Sequence, residues 1–503
     1  MSFPLTNVDP LNPTPGYLRE IRYAQGASGG SVEGREAVIL CSKTSSGTGS
    51  VHTLYGPISD RSDVIDKFGY HSEGLLLFDT FRAANKTTPL YLIATSVAGS
   101  APTRNFAFSG GSATANTSIR IRHLGEIVEV GVAQGDSVAT QTAAVAAAIN
   151  NKLTWVFSAT DNASAVLLTA STSGLRFDHY LTYTRMDYSK SAGTTITPGS
   201  VSSGTTDDDQ TDSLAALDTK EIYYQINPKT ATGAVTSTDN GLGEHKAQIT
   251  VNAEPLTGND QVLIFGAVST NANAASVANS VNSPISFCVW AENNDFSPGM
   301  LAARYGAVKA AKESVHPAAN LTDYGLKPED SLNIPAPYAD TDRATDTEIV
   351  VALNNGVTPI RFTANGQSYI CRDVTTYSKL GSAKDYRCRE GHIPSCMAAY
   401  SQMVKSSWLQ QAQDFVADDP VEGEKPKQNT SYPRDFKAVM AKAVDDMVNY
   451  PGGPVLDPLF QQEMKDTIEV DRLTDGLSGR CFPVAVKHNN RTWALFLQSD
   501  AEY

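Results

Sequence analysis

Two groups of residues in this sequence have types and spacings that could support chemistry. The first is Gly26-Ala27-Ser28-Gly29-Gly30, which fits the G-x-S-x-G pattern of a hydrolase nucleophile elbow with Ser28 as the nucleophile. That motif needs a strand, a sharp turn and then a helix. Here the strand-like run SVEGREAVIL follows, so we interpret the segment as a flexible glycine-rich loop.

The second group is Cys388, His392 and Cys396, three zinc-ligand types at equal spacing. A fourth ligand is not evident, and Ile393-Pro394 disfavours a helix that would align the three side chains. The sequence therefore predicts thiols without a metal. Three other cysteines fall in predicted strands, where a buried thiol acts as a small hydrophobe: Cys41, Cys288 and Cys371.

Composition and charge narrow the remaining functions. The 503 residues carry a formal net charge of −14, which argues against nucleic acid as a partner because phosphate binding depends on Lys and Arg. No apolar run approaches the roughly 20 residues of a membrane span. The start MSFPLTNVDP has neither a basic nor an apolar signal region. We expect a soluble, multidomain protein made in the cytosol, with no direct membrane insertion, no cofactor and no enzymatic site.

The clearest local structure is predicted between Thr345 and Tyr377. Thr345 and Glu348 form a capping-box pattern ahead of a short helix whose apolar face would carry Ile349, Val350 and Leu353. Gly356 follows where the helix should stop. Two β-prone runs, residues 360–363 and 368–374, flank Asn365-Gly366, a pair that suits a tight hairpin turn. A capped helix followed by a hairpin is expected.

The order of predicted elements divides the chain into five parts. The predicted fold class is α/β and α+β multidomain, with a split α/β core, an inserted β-rich domain and a helical C-terminal domain ending in a β-hairpin. The predicted ranges are an N-terminal arm (1–24), the core (25–98 and 219–380), the insertion (99–218) and a C-terminal domain with a terminal strand arm (381–503).

The insertion and the chain ends have distinctive sequences. Residues 99–218 are rich in Ser, Thr, Ala and Gly with short alternating strands, and the acidic exit GTTDDDQTD is expected to be a solvated linker. We therefore expect the insertion to project and fold separately. Residues 1–16 contain four prolines and little periodicity, which is typical of an arm. Residues 481–486 and 492–498 are predicted to form the terminal hairpin.

The segment from Leu353 to Tyr377 resembles the tail sheath proteins of contractile bacteriophages, in particular the Mu-like branch. In that family a short helix ends in Leu-Asn-x-Gly-Val, a hairpin follows, and Arg-x-x-Thr-Thr-Tyr closes it. The matching residues are Leu353, Asn354, Gly356, Val357, Arg372, Thr375, Thr376 and Tyr377.

Two further segments are similar to the same family. Phe68-Gly69 with Ser72-Glu73-Gly74 looks like the family's Phe-Gly-x-Gly-Ser helix start, although His71 replaces a glycine. Residues 119–150 contain a turn at Gly125, a strand and an alanine-rich helix, and look like the inserted β-rich segment of the Mu-like branch.

The resemblance implies a structural virion protein. Such subunits form stacked hexameric rings around a tail tube, contract when the baseplate triggers them, and drive the tube through the host envelope for genome ejection. The implied partners are further copies of the chain, the tube protein, and the baseplate and tail terminator proteins. The implied location is the phage tail, after assembly in the host cytoplasm. A phage-like injection system or bacteriocin sheath is the nearest alternative, followed by a host- or glycan-binding virion module and a Ser28 hydrolase.

The family also implies links between subunits. Its terminal arms donate strands to neighbouring subunits, and the candidate donor residues here are Tyr17, Leu18, Ile21, Tyr23, Trp493, Leu495 and Leu497. A released virion meets an oxidising medium, so disulfides between subunits through Cys388, Cys396 or Cys481 are a further hypothesis. Lys384, Arg387 and Arg389 are expected to lower the pKa of the nearby thiols.

Overall fold

A computed structural model of the chain describes residues 35–191, 193–206, 208–217, 220–229, 241–253, 260–321, 332–339, 342–411, 415–421, 425–472 and 477–487. Ser28 and all seven candidate strand-donor residues lie outside these ranges. No helix within these ranges combines the length and apolar character needed to cross a bilayer.

The described chain begins with a β-α-β unit. The run AVILC forms a strand in which every residue is buried, as expected of a parallel strand covered on both faces. Ser72 caps the long helix of this unit by accepting a hydrogen bond from the Leu75 amide. The elements are β1 (Ala37–Cys41), β2 (Leu54–Tyr55), α1 (Arg61–Phe68), α2 (Glu73–Arg82) and β3 (Leu90–Ala94).

Two antiparallel sheets follow, ordered β10-β4-β8-β7 and β6-β5-β9. The predicted Gly125 turn is confirmed with a φ of +81°, and Ser137 caps the alanine-rich helix. The elements are β4 (Thr103–Gly110), β5 (Thr117–His123), β6 (Glu126–Val132), α3 (Val138–Asn150), β7 (Phe157–Asp161), β8 (Ala165–Ala170), α4 (Asp178–Thr182), β9 (Arg185–Tyr188) and β10 (Thr194–Ser202).

The α/β alternation then resumes and completes an eight-stranded sheet of order β15-β14-β13-β12-β11-β1-β3-β2. Strand β1 pairs in parallel with β3 on one side and β11 on the other, so the sheet joins strands from both sides of the insertion. The elements are α5 (Thr211–Ala215), β11 (Tyr224–Asn227), α6 (Leu242–Asn252), β12 (Val262–Ala267), α7 (Asn271–Val281), β13 (Ser286–Trp290), α8 (Pro298–Val315), α9 (Asp346–Asn354), β14 (Val357–Phe362) and β15 (Ser368–Ile370). The predicted fold class, a mixed α/β multidomain chain with several sheets, is confirmed.

The inserted sheets share a hydrophobic core with the large sheet. Buried side chains of the insertion, including Trp155 and Phe177, belong to the same apolar cluster as Leu77 of α2 and Leu301 of α8. The Tyr180 hydroxyl also lies 2.9 Å from the Ser297 hydroxyl at the start of α8. The insertion therefore packs against the large sheet through apolar contacts. That it folds separately stays a prediction, which excision of residues 99–218 would test.

The acidic exit from the insertion is solvated only in part, since Thr205, Thr206, Asp209, Thr211 and Asp212 are exposed but other residues of the stretch are buried. Asp208 is 1 % exposed and Gln210 is fully buried. Sequence composition marks such a stretch as solvated, but it cannot show that Arg176 neutralises Asp208 from another part of the insertion.

The C-terminal part is mostly helical and has its own apolar cluster, which includes Tyr400, Val444 and Val455. Its two long helices span Ile393–Gln411 and Pro433–Val448. Residues 481–486 form no strand with other described residues: Pro483 has no backbone N–H to donate, and Ala485 makes an isolated bridge with Leu456. Their predicted hairpin partner, residues 492–498, lies outside the described residues. The elements are β16 (Lys379–Leu380), β17 (Ala383–Lys384), α10 (Ile393–Gln411), β18 (Phe415–Val416), β19 (Thr430–Ser431), α11 (Pro433–Val448), α12 (Gln461–Asp466), β20 (Glu469–Arg472) and β21 (Leu477–Arg480).

Candidate functional site

The family-like residues lie at the β14 side of the large sheet, and α9 leads into them. The Glu348 amide donates to the Thr345 hydroxyl at 3.4 Å, and the Thr345 amide donates to the Glu348 carboxylate at 2.7 Å. This is the predicted capping box. Ile349 and Ala352 pack into the cluster beneath the helix. Val350 is 56 % exposed, so its predicted place on the buried face is wrong.

Gly356 connects this helix to β14 and contacts the far end of the motif. Its φ of +73° lies in the left-handed region that favours glycine. A Cβ placed on Gly356 would lie 2.5 Å from the Thr376 carbonyl oxygen. The two ends of the motif, one after the helix and one after the hairpin, are therefore in direct contact, and only glycine leaves room for it.

The hairpin between these ends has the predicted turn. Ile360 pairs with Ile370 and Phe362 pairs with Ser368 in antiparallel register. Gly366 has a φ of +78°, and its amide donates to the Thr363 carbonyl at 2.9 Å. Strand β14 also pairs in parallel with β13, so the hairpin forms the last two strands of the large sheet.

The Thr-Thr-Tyr run forms hydrogen bonds that hold the chain after the hairpin to neighbouring segments. The Thr376 amide donates to the Ser286 carbonyl at 2.8 Å, while the Thr376 hydroxyl donates to the Ser283 carbonyl at 3.1 Å. The Thr375 hydroxyl donates to the Cys388 carbonyl at 2.8 Å. Both threonines are fully buried. They hold the motif to β13 on one side and to the chain approaching α10 on the other.

Charged residues of the same run make ion pairs. Arg372 pairs with Glu390, and the neighbouring Asp373 lies 3.2 Å from the Lys309 ammonium of α8. The Tyr377 hydroxyl donates to the Asp385 carboxylate at 2.8 Å. The contacts described above hold the hairpin and the chain that follows it in place at the β14–β15 edge of the large sheet.

The second family-like segment is also a buried junction. The Arg176 guanidinium of the insertion pairs with Glu73 at 2.7 Å and with Asp208. Glu73 also accepts a hydrogen bond from the Ser42 amide at 2.9 Å. Burial raises the pKa of the Glu73 carboxyl, although Arg176 opposes the shift. We call Glu73, Arg176 and Asp208 the insertion ion triad.

The cysteines differ from the expected reactive thiols. Cys396 is fully buried in α10, and burial raises the pKa of its thiol. Burial and the Asp385 carboxylate also raise the pKa of Cys388, with Arg387 opposing them. The expectation that nearby cations lower these pKa values is wrong, because desolvation outweighs the attraction.

The described residues also bear on the metal hypothesis. His392 is 4 % exposed, and its Nε2 lies 2.7 Å from the Val486 carbonyl oxygen. No group of three or more metal-ligating side chains occurs in the described part of the chain. The three residues of equal spacing are therefore not assembled as ligands there.

Sequence reasoning missed the buried charges that hold these segments in place. Lys309, Glu313, Arg176 and Asp208 are all below one tenth exposed. Lys309 and Glu313 carry a usable signal, since they stand one turn apart on a helix otherwise rich in Ala and Gly. Arg176 and Asp208 show no comparable pattern in the sequence.

The comparisons with known proteins give remote similarities. No protein-family model matches the chain, and no curated protein matches it. A sheath tail protein of Desulfitobacterium hafniense is 13 % identical with a TM-score of 0.48, covering 94 % of this chain and 97 % of that one. A sheath tail protein of Listeria innocua is 12 % identical with a TM-score of 0.48, covering 92 % and 97 %. The contracted helical sheath of the anti-feeding prophage is 10 % identical with a TM-score of 0.46, covering 97 % and 100 %. The solved structures to which this chain is similar thus include sheath proteins of contractile systems.

Proposed function

We propose that this chain is the structural subunit of a contractile tail sheath. It polymerises as stacked hexameric rings around a tail tube and contracts to drive the tube through a host envelope. Its role is mechanical, with no catalytic step. Its partners are other copies of itself, a tube protein, and baseplate and terminator proteins, and it resides in the phage tail.

One observation carries the proposal. The family-like residues form a single connected unit, in which Gly356 contacts Thr376 and the threonines bond to β13. The motif residues also have specific structural roles there, since Gly356 has a φ of +73° and Thr375 and Thr376 are fully buried. The Mu-like branch is proposed on the same residues, together with the strand, turn and helix order of residues 119–150.

The nearest variant of this function is a sheath of an injection system without a phage head. Both kinds of sheath would use the same subunit design. Genes for capsid and genome packaging beside this one would favour a phage, and their absence would favour an injection system.

Electron microscopy of the purified full chain tests the proposal. We expect hollow tubes of uniform width in negative stain. Because the net charge of −14 opposes association, tubes should form more readily when salt shortens the screening length from about 30 Å at 0.01 M to about 8 Å at 0.15 M. A chain that remains monomeric in sedimentation at every salt and protein concentration would contradict the proposal.

Disulfides between subunits remain a prediction for the assembled particle. Cys388 and Cys481 are partly exposed, whereas Cys396 is buried. We therefore expect any bridge to use Cys388 or Cys481. A non-reducing gel of assembled particles should show multimers that collapse with reductant, and Cys388→Ser with Cys481→Ser should abolish them. A single monomer band with and without reductant would contradict bridging.

A further inference from the structure

Four charged side chains are buried together beneath the motif, and the proposed function does not use them. They are Arg35 just before β1, Lys309 and Glu313 on α8, and Asp373 in the motif, and each is at most 7 % exposed. The Lys309 ammonium lies 2.8 Å from Glu313 and 3.2 Å from Asp373, and Arg35 lies 3.5 Å from Glu313. We call these four residues the buried charge cluster.

The buried charge cluster is balanced and further supported by hydroxyl groups. Two cations face two carboxylates, the Tyr224 hydroxyl donates to Glu313 at 2.8 Å, and the Tyr305 hydroxyl donates to Asp373 at 2.5 Å. Burial disfavours the charge on Lys309, but Asp373 and Glu313 outweigh it and raise the pKa of the ammonium. Because each buried charge depends on its neighbours, removing one leaves another uncompensated.

Both cations also bind the chain where the C-terminal helices begin. The Arg35 guanidinium donates to the Ser395 hydroxyl at 2.5 Å and to the Ser395 carbonyl at 2.9 Å. The Lys309 ammonium donates to the Gly391 carbonyl at 2.9 Å. A side chain at Gly391 would overlap the Asp373 carboxylate. The first turn of α10 is therefore held directly by charges of the sheet core.

Other described contacts also cross this boundary, among them the Lys405 to Glu221 pair at 3.6 Å and the contact of His392 with the Val486 carbonyl oxygen at 2.7 Å. Ala398 of α10 joins the main core, and Ala318 beyond α8 joins the C-terminal cluster. His316 lies 3.0 Å from the Gly453 carbonyl oxygen. By contrast, α10 and α11 pack against each other through a cluster of their own. We call the described residues from 393 to 487 the C-terminal helical unit.

We propose that the buried charge cluster is the joint that fixes the C-terminal helical unit on the sheet core. Weakening the cluster releases the helical unit as one body while the sheet stays folded. Lys309, Glu313, Arg35 and Asp373 act as positioning residues, since they set where α10 starts without belonging to the unit they hold.

Hydrogen exchange on the unassembled full chain tests this joint. In Lys309→Met we expect amides of α10 and α11 to exchange at least about tenfold faster, while amides of β12 and β13 keep their wild-type rates. Lys442→Met is the matched control, because Lys442 makes the same i,i+4 pair with Asp446 but is exposed on α11. The control should leave all these rates within about twofold of wild type.

A second variant covers the case in which Lys309→Met does not fold. Ser395→Ala removes one acceptor of Arg35 and leaves all four charges in place, so we expect faster exchange confined to α10 and α11. If amide exchange speeds up equally in the helices and the sheet, or does not speed up in either variant, the proposed joint is contradicted. The measurement uses single subunits, so its outcome is independent of whether the chain forms a sheath.

Discussion

At the scale of single residues, Gly356 is the position where the motif depends on the absence of a side chain. We expect Gly356→Ala to destabilise the fold by more than the roughly 1–2 kcal/mol that a left-handed alanine costs, because its Cβ would also overlap the Thr376 carbonyl. Urea unfolding of the two proteins measures the difference. Gly135→Ala is the control, since Gly135 has a φ of +96° but nothing within 4 Å of its Cβ position. Equal losses in both variants would show that the Thr376 contact contributes nothing.

His245 predicts a pH dependence that arises from one buried ring. Burial lowers its pKa to about 3. Its Nδ1 lies 3.1 Å from the Asn227 amide nitrogen, which donates to it, and the opposite ring nitrogen faces the Gln225 carbonyl oxygen. Protonation of Nδ1 would remove that acceptor, so the folded state keeps the ring neutral.

The sign of the effect follows from this lowered pKa. The unfolded chain binds a proton near pH 6.5 and the folded chain near pH 3, so the contribution of His245 is present above pH 6.5 and lost as the pH falls towards 3. In His245→Gln the loss of stability per pH unit below pH 6.5 should be smaller, by up to about 1.4 kcal/mol. Urea unfolding at pH 7, 6, 5 and 4 measures both proteins. Parallel pH profiles would contradict a buried neutral histidine.

At the scale of elements, the insertion ion triad ties the inserted sheets to α2. We expect Arg176→Met to destabilise the fold by about 3–5 kcal/mol, because it leaves Glu73 and Asp208 buried without their cation. Arg120→Met, which breaks the exposed Arg120 to Glu129 pair of the same insertion, should cost less than about 1 kcal/mol. Thermal unfolding, monitored by circular dichroism, measures the loss of stability in each variant relative to the wild type. A small loss for Arg176→Met would show that water compensates the carboxylates.

The same elements show how far sequence reasoning extends. The capping box of α9, the Asn365-Gly366 turn and β1 follow from neighbours within a few residues, and local rules predict them. The pairing of Arg176 with Glu73 joins distant segments, and nothing periodic precedes it. Composition therefore predicted a fully solvated exit, whereas tertiary contacts bury Asp208 and Gln210 within it.

At the scale of the whole molecule, the chain ends are predicted to serve assembly and not folding. Deleting residues 1–23 stops short of Arg35, so the buried charge cluster keeps all its members. We expect this deletion to yield a folded, soluble subunit that forms no stable sheath. Circular dichroism measures whether the shortened chain is folded, and negative-stain microscopy shows whether it forms a sheath. Normal tubes from the shortened chain would contradict strand donation by Tyr17, Leu18, Ile21 and Tyr23.

The position of β1 in the sheet has a consequence for synthesis on the ribosome. One neighbour, β3, emerges soon after β1, but the other, β11, pairs Tyr224 with Ala37. At roughly 5–20 residues per second, the about 190 residues between them take roughly 10–40 s to translate. Throughout that interval the nascent chain presents an unpaired edge of the all-apolar β1. Helix α2 is made before the insertion and shares an apolar cluster with β1, so it can cover part of this early hydrophobic surface. The inserted sheets are made during the wait and belong to the same cluster, so they can add to that cover before the sheet is closed.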